Sequence, residues 1–419
     1  MKPTPKNKMP TTRRDFCKTA LAAAAGLGLA PSLAFAAGPK KRKIAAVVVR
    51  YGLRMHADNI VTRMLEGYWI NDQFNKPGNE VAAVYVHHVG EGDISRRLAD
   101  AYGFRLSPTI ADALTLGTGK LAVDGVVIIS EDVYTAWPEN PFFLFFSQVV
   151  EVFRQSGRSV PVFNDKSLSH DWNEAQWMIR QSRELGFPLL TGSTTSVTFR
   201  RPELDFPRNT PFADALVVAT IPKAYVESLS FHALELLQAM VERRPGGETG
   251  IRAVQCLEGE AVWAAARNGV WSRDLFDAAV ARSHSRSEGG RPEDLITDPL
   301  ALLIEYKDGF KGTVIGAPGL VRDFNFAARI KGVAEIQSMA AYIPWENSNN
   351  FGCLVHFFEE MLATGKPAFP PDRTLLTCGT LDFLMRSRRL AHSRVETPEL
   401  LEVSYQPPEA SAYCPGPGS

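Results

Sequence analysis

Apolar positions follow one rhythm as far as about residue 190 and another beyond it. In the first stretch, short continuous apolar runs alternate with segments of helical period. Residues 43–51 (KIAAVVVRY), 81–86, 124–130 (DGVVIIS), 159–163 and 187–190 are runs of the kind that fill buried parallel strands. Between them, residues 58–69, 95–102, 110–116, 141–155 and 173–185 carry helical patterns, the first opening on Asp58 as a candidate N-cap. Phe142, Phe143, Phe145 and Phe146 fit a buried crossover helix better than an aromatic binding stripe. Strands separated by helices imply βαβ crossovers and a Rossmann-type, doubly wound parallel sheet, an α/β class.

Past residue 190 the pattern predicts a helix at 231–241, strands at 254–257, 301–306, 312–315 and 326–330, and amphipathic helices at 351–363 and 373–391. Asp308-Gly309 between two of these strands is a hairpin signal. The economical arrangement is an α+β unit with an open, largely antiparallel sheet and helices on one face. Residues 282–294 are polar and Gly-rich, a surface loop, and the tail 406–419, with four prolines, is expected to be disordered. The expected organisation is a leader at 1–36, a nucleotide-binding-type domain at 43–166, a substrate domain at 167–405, and the tail.

Charge changes this picture at one end. The chain carries 46 basic and 46 acidic side chains, but residues 1–36 hold Lys2, Lys6, Lys8, Arg13, Arg14 and Lys18 against a single Asp15. The remainder is therefore mildly acidic and offers no electrostatic footprint for nucleic acid. Thr12-Arg13-Arg14-Asp15-Phe16-Cys17-Lys18 is a twin-arginine signal core, followed by an Ala/Gly/Leu stretch that ends in Ala34-Phe35-Ala36. That stretch is too short and too weakly apolar for the roughly 20 residues a bilayer span needs. The expectation is a cleaved leader read by the twin-arginine export machinery. The mature chain would begin near Ala37, in the periplasm or otherwise exported, with no stable membrane anchor. A homo-oligomer is compatible with all of this.

Cys256, Cys353, Cys378 and Cys414 show no CxxC and no metal-finger spacing, and their pairing stays open in a compartment that allows disulfides. His87-His88-x-x-Glu91-x-Asp93 is metal-capable, but a solvated polar loop is the commoner source of such a pattern, and no metal is expected. Ligands of doubly wound sheets bind beyond the carboxyl ends of the strands. Glu131-Asp132 ends the third strand with Tyr134 close by, so the pair either does acid/base work, one carboxylate raising the pKa of the other, or belongs to a helix-capping loop.

Several segments resemble one family. Ala101-Tyr102-Gly103 followed by Val123-Asp124-Gly125-Val126-Val127-Ile128, then Gly157-Arg158-Ser159-Val160-Pro161-Val162-Phe163-Asn164-Asp165-Lys166, Phe231-His232-Ala233-Leu234-Glu235 and Thr397-Pro398-Glu399-Leu400, are similar in order and spacing to motifs of the Gfo/Idh/MocA family. That family contains glucose–fructose oxidoreductases and inositol dehydrogenases. The resemblance runs from about Lys43 to Tyr405 and implies a sugar-type oxidoreductase holding NAD or NADP. It places Lys166 at the family's "EKP" lysine, which assists proton transfer beside the nicotinamide, and His232 at the family's acid/base histidine. The blander alternatives are a surface lysine after a strand and a satisfied core histidine. Implied cofactor-binding residues are Gly52, Arg50, Arg54 and His56 in the loop after the first strand, with Ser130 and Asp165 at later strand ends.

The chain departs from the family where phosphate is gripped. In place of Gly-x-Gly-x-x-Gly, the loop Val48–His56 has Gly52 alone, with Arg50 and Arg54 as charged substitutes. His87 replaces the usual ribose-binding acid, with Glu91 or Asp93 as substitutes farther along. Ser167 follows Lys166 where the family has proline, and Ser228 stands four residues before His232, with Glu227 and Glu235 the nearest acids. Two functions follow. One is an exported oxidoreductase with a tightly held dinucleotide, turning over in a redox-neutral cycle on a carbohydrate. The other is the same fold without a dinucleotide, a binding protein or a catalyst of non-redox carbohydrate chemistry.

Overall fold

The first apolar run becomes strand Lys43–Val48, in the middle of a parallel sheet. The structure, a computed structural model, describes residues 41–416 apart from 133, 134 and 345. The expected leader at 1–36 and Tyr134 lie outside the described residues. Across the sheet the strands are Arg105–Ser107, Glu80–Val86, Lys43–Val48, Gly125–Ile129, Val162–Asp165 and Leu189–Gly192, all parallel to their neighbours. The strand order therefore reverses between Lys43–Val48 and Gly125–Ile129, the switch point beyond whose carboxyl ends doubly wound sheets form their ligand crevice. The doubly wound expectation is met, and the last strand joins the sheet after Lys166.

Alternation along the central strands feeds two cores. Ala45, Val47, Val126 and Ile128 pack with helices Phe142–Ser156 and Trp172–Glu184. Ile44, Ala46, Val48, Val127 and Ile129 pack on the other side, where the late helix Phe351–Thr364 lies. Burial on both faces explains why these strands read as unbroken apolar runs. A Cβ at Gly125 would stand 2.6 Å from the Leu362 side chain, so this glycine lets the late helix lie directly on the sheet. The C-terminal part of the chain thus returns to cover the N-terminal sheet.

The second sheet runs Val395–Glu396, Ile251–Glu258, Leu300–Tyr306, Lys311–Gly316, Phe212–Ala219, Phe324–Ile330, Gln337–Ala341, Arg200–Arg201. Its neighbours are antiparallel except Phe212–Ala219 with Lys311–Gly316. The Asp308-Gly309 turn joins two of its strands as expected, with Gly309 at φ +86°. Helices Val226–Val241 and Asp372–Arg389 lie on one face. Helices Glu260–Arg267 and Arg273–Val280 cover part of the other through Val262, Trp263 and Leu275, so helices are not confined to one face.

Two local expectations are corrected. The helix after the first loop ends at Glu66 rather than Trp69, and Asp58 lies inside it, at the start of the π-helical turn Asp58–Thr62, not at its cap. Gly67 breaks it at φ +111°, where a Cβ would strike the Phe74 ring at 2.4 Å. A hairpin follows, Tyr68–Ile70 against Gln73–Asn75, turned by Asn71 and Asp72, both at positive φ as a tight two-residue turn requires. The tail is not disordered as far as residue 416. Arg243 donates to Pro408 O at 2.9 Å and Glu409 O at 2.8 Å, Cys414 N–H donates to Val197 O at 2.8 Å, and the Arg200 guanidinium lies 3.8 Å over the Tyr413 ring. Two buried arginines need partners, and the tail supplies them. The four cysteines are buried free thiols, with Cys353 and Cys414 in side-chain contact. Among the described residues, no helix is long and apolar enough to cross a membrane.

Candidate functional site

Lys166 follows strand Val162–Asp165 at φ +63°, a left-handed conformation that costs a non-glycine residue about 1 kcal/mol. Two backbone hydrogen bonds hold it there: its N–H donates to Gly192 O at 3.1 Å and its carbonyl accepts from Gly192 N at 3.0 Å. The Thr191 hydroxyl adds a third at 2.9 Å to the same carbonyl. The pinned turn aims the side chain back along the sheet edge, where Nζ meets Glu131 Oε2 at 2.8 Å. Both side chains are nearly sealed, at 5% and 4% exposure, so Lys166 is not a surface lysine.

Glu131 and Asp132 are sequence neighbours whose carboxylates part company. Glu131 goes to Lys166, while Asp132 accepts from Arg50 Nε at 2.5 Å and from the Thr135 hydroxyl at 3.1 Å. The Asp132 N–H is held by Asn140 Oδ1 at 2.5 Å. A third pair completes the crevice: His56 Nδ1 lies 2.6 Å from Asp165 Oδ2, and its ring meets Phe351 edge-on at 4.8 Å between centroids. Each acid is thus paired with its own base across the strand ends.

His232 enters from helix Val226–Val241. Its Nδ1 is 2.5 Å from the Ser193 hydroxyl, Nε2 makes no hydrogen bond among the described residues, and Phe324 borders the ring at 6.1 Å. Burial holds the imidazole well below its usual pKa, with the charges of Lys166 and His56 pushing the same way. The ring is therefore neutral at neutral pH and able to accept a proton. Ser193 also donates its N–H to Glu235 Oε2 at 3.3 Å. Burial pushes the Glu235 carboxyl up to about 7, against the opposing pull of Arg373.

The sequence-derived candidates thus fall into groups. Lys166 and Glu131 form a buried pair, and His232 feels the charges of Lys166 and of His56, which sits on Asp165. Arg50 and Asp132 form a second pair at the switch point. Gly52 bridges to Asp93 instead, and Arg54 is exposed, its N–H donating to Asp58 Oδ2 at 2.8 Å. Ser130 is fully buried at a strand end. Of the possible metal set, His87 Nδ1 lies 2.9 Å from the Tyr85 hydroxyl and Asp93 caps Ser95, and no group of three ligand-type side chains is placed to hold a metal among the described residues. Ser193 was missed because the strand reading stopped at 190, two residues before the carboxyl end that bears it. Buried Ser130 Oγ, Asp165 Oδ1 and Ser167 Oγ find no hydrogen-bond partner among the described residues, all three at the carboxyl edge.

No family model matches the sequence, and the search of curated proteins finds no match. Solved structures share the fold. A myo-inositol 2-dehydrogenase from Lactobacillus plantarum superposes with a TM-score of 0.55 at 11% identity, covering 85% of this chain and 99% of its own. GenD2 from gentamicin A biosynthesis, solved with NAD, gives 0.53 at 16% identity over 88% and 99%. A myo-inositol dehydrogenase from Lactobacillus casei, solved with NAD(H) and myo-inositol, gives 0.52 at 12% identity over 87% and 100%. At these identities the likeness is one of fold: a parallel sheet followed by a mixed sheet, as the sequence resemblance implied.

Proposed function

We propose that this protein is an oxidoreductase that uses NAD or NADP on a sugar or polyol, exported with its dinucleotide held tightly and regenerated within a redox-neutral cycle. The observation that carries the reading is a half-buried His232 fixed through Nδ1 by Ser193, its pKa pushed down by burial and by the charge of Lys166, which is itself sealed against Glu131. Two similar folds, solved with NAD or NAD(H), support the cofactor class.

The deep end of the crevice suits such a group. The unpartnered Ser130 hydroxyl and Asp165 oxygen match ribose hydroxyls, one able to donate and the other to accept. Toward the phosphates, Gly52, Arg50, Arg54 and His56 are the residues that would hold the dinucleotide. A bound nicotinamide would supply hydride transfer at a carbinol carbon. This chain's part is to move the proton. His232 Nε2 takes it from the substrate hydroxyl as the alcohol is oxidised, and Ser193 on Nδ1 fixes the ring and its tautomer. In the reductive half His232 returns the proton. Lys166, paired with Glu131, donates a hydrogen bond to the same oxygen and stabilises its developing negative charge.

A second reading, the fold without a dinucleotide, is favoured by one observation. Arg50, in the place of the first fingerprint glycine, is engaged by Asp132, and the Asp58 carboxylate already takes a backbone N–H at the start of the following helix. Acid release and mass analysis of the purified protein, with NAD(P) titration of the remainder, separates the two. A released or newly bound dinucleotide supports the first. A clean protein that binds neither NAD nor NADP overturns it.

A further inference from the structure

A groove of about 760 Å³ opens between residues 54–72 on one side and 342–344 with 346–349 on the other, and Phe199 and Arg201 also line it. None of Lys166, Glu131, His56 or His232 lines it, and of the proposed dinucleotide-holding residues only Arg54 reaches its edge. Its walls are already tied together. Arg63 donates to Asn347 O at 2.5 Å and Ser348 O at 2.9 Å, and the Asn349 amide donates to Trp69 O at 3.0 Å. The groove is therefore preformed rather than awaiting closure.

What faces into it has a definite chemistry. Trp69 stands at the rim at 52% exposure, an unusual position for an indole, and Phe74 props it from 5.3 Å between ring centroids. Arg54, Asn71, Asp72 and Glu346 make no side-chain hydrogen bond among the described residues. Three arginines in the lining face four carboxylates, so the groove has little net charge and no preference for a polyanion or a polycation. An aromatic face beside unengaged carboxylate, amide and guanidinium groups matches a sugar. The ring's C–H face stacks on the indole, and neighbouring hydroxyls bridge the two oxygens of a carboxylate or the fork of an arginine. The volume lies in the upper part of the roughly 300–1,000 Å³ range of small-molecule sites, which suits several linked rings better than one.

We propose that this groove is a binding site for a neutral oligosaccharide, distinct from the Lys166 crevice. Trp69 is the stacking platform, and Asn71, Asp72 and Glu346 read the hydroxyls. The assignment does not rest on the redox reading, because binding needs neither cofactor nor turnover. The test is calorimetric titration of the full chain with maltotriose, cellotriose and chitotriose in turn, without nicotinamide cofactor. The proposal expects at least one to bind. Trp69→Ala, with melting temperature and circular dichroism unchanged, should weaken that ligand tenfold or more, and Asp72→Asn or Glu346→Gln should weaken it severalfold. The His232→Gln variant should bind it as wild type does. Failure of all three sugars to bind, undiminished binding in Trp69→Ala, or binding lost in His232→Gln but kept in Trp69→Ala would each overturn the assignment. A protein that binds an oligosaccharide here but releases and takes up no dinucleotide would keep this site and lose only the oxidoreductase reading.

Discussion

At the deep end of the crevice, Lys166, Glu131, Asp165 and His232 are buried or nearly so, and every charge there has a partner from another strand or helix. At the loop end, Gly52 is tied to Asp93 and Arg54 is exposed, its guanidinium unengaged among the described residues. The two ends differ in what a substitution must disturb. Removing a charge from the deep end strands its partner in a medium that cannot solvate it, whereas removing Arg54 leaves only water behind. Function and stability are therefore entangled at one end and separable at the other.

The largest expected effect is at the deep end. Lys166→Ala should abolish turnover and also lower unfolding stability by about 3–5 kcal/mol, because Glu131 is left buried and unpaired. A lysine at a strand end ordinarily carries little packing, but this one is sealed against Glu131. The double variant Lys166→Met with Glu131→Gln should regain most of the stability in denaturant titration and none of the activity. Stability unchanged in Lys166→Ala would mean that Glu131 is not committed to it.

His232→Gln should lower kcat by about 10²–10⁴-fold with little change in melting temperature, the range typical of losing a general acid/base. Ser193→Ala should act through the ring, lowering kcat less and shifting the acidic limb of the pH–rate profile. Because His232 is held well below its usual pKa, that limb should lie below pH 6.5 in the wild type. A limb above that value would remove His232 from the role.

Glu235 sharpens the contrast through pH. Its carboxyl is raised from 4.5 to about 7, so between those values the folded protein holds a proton that the unfolded chain has released. Its stabilising contribution is fully present below about pH 4.5 and is lost as pH rises through about 7. Glu235→Gln should therefore flatten the decline of melting temperature between about pH 4.5 and 7 and raise it at about pH 8. An unchanged slope would show that the group ionises normally.

The smallest effect belongs to the loop end. Arg54→Ala should leave stability within about 0.5 kcal/mol of wild type while weakening NAD(P) binding severalfold in a fluorescence titration. Arg50→Ala should cost more stability, since Asp132 is buried and loses a cation. Equal stability losses at the two arginines would erase the distinction between the ends.

By itself, the sequence determined the elements and the layer pattern of the parallel sheet. Runs such as KIAAVVVRY and DGVVIIS are legible because burial on both faces leaves no room for polar alternation, and that signal is local. It also put Lys166, Glu131 and Asp132 at strand ends, and from there the carboxyl-edge rule points to the crevice. The central strand Phe212–Ala219 and the hairpin behind Trp69 went unseen. The first mixes polar and apolar positions near its start, and the second depends on Gly67 breaking a helical pattern that otherwise continues. Only the tertiary structure decided which base each carboxylate takes. Glu131 and Asp132 are adjacent in sequence, yet their partners lie 35 residues later and 82 earlier, brought in by different strands. His232 gained its partner Ser193 from 39 positions away, and the groove beneath Trp69 is walled by segments about 280 apart. Such pairings leave no mark on the local pattern, because the energy that selects them arises only when burial removes water from both groups at once.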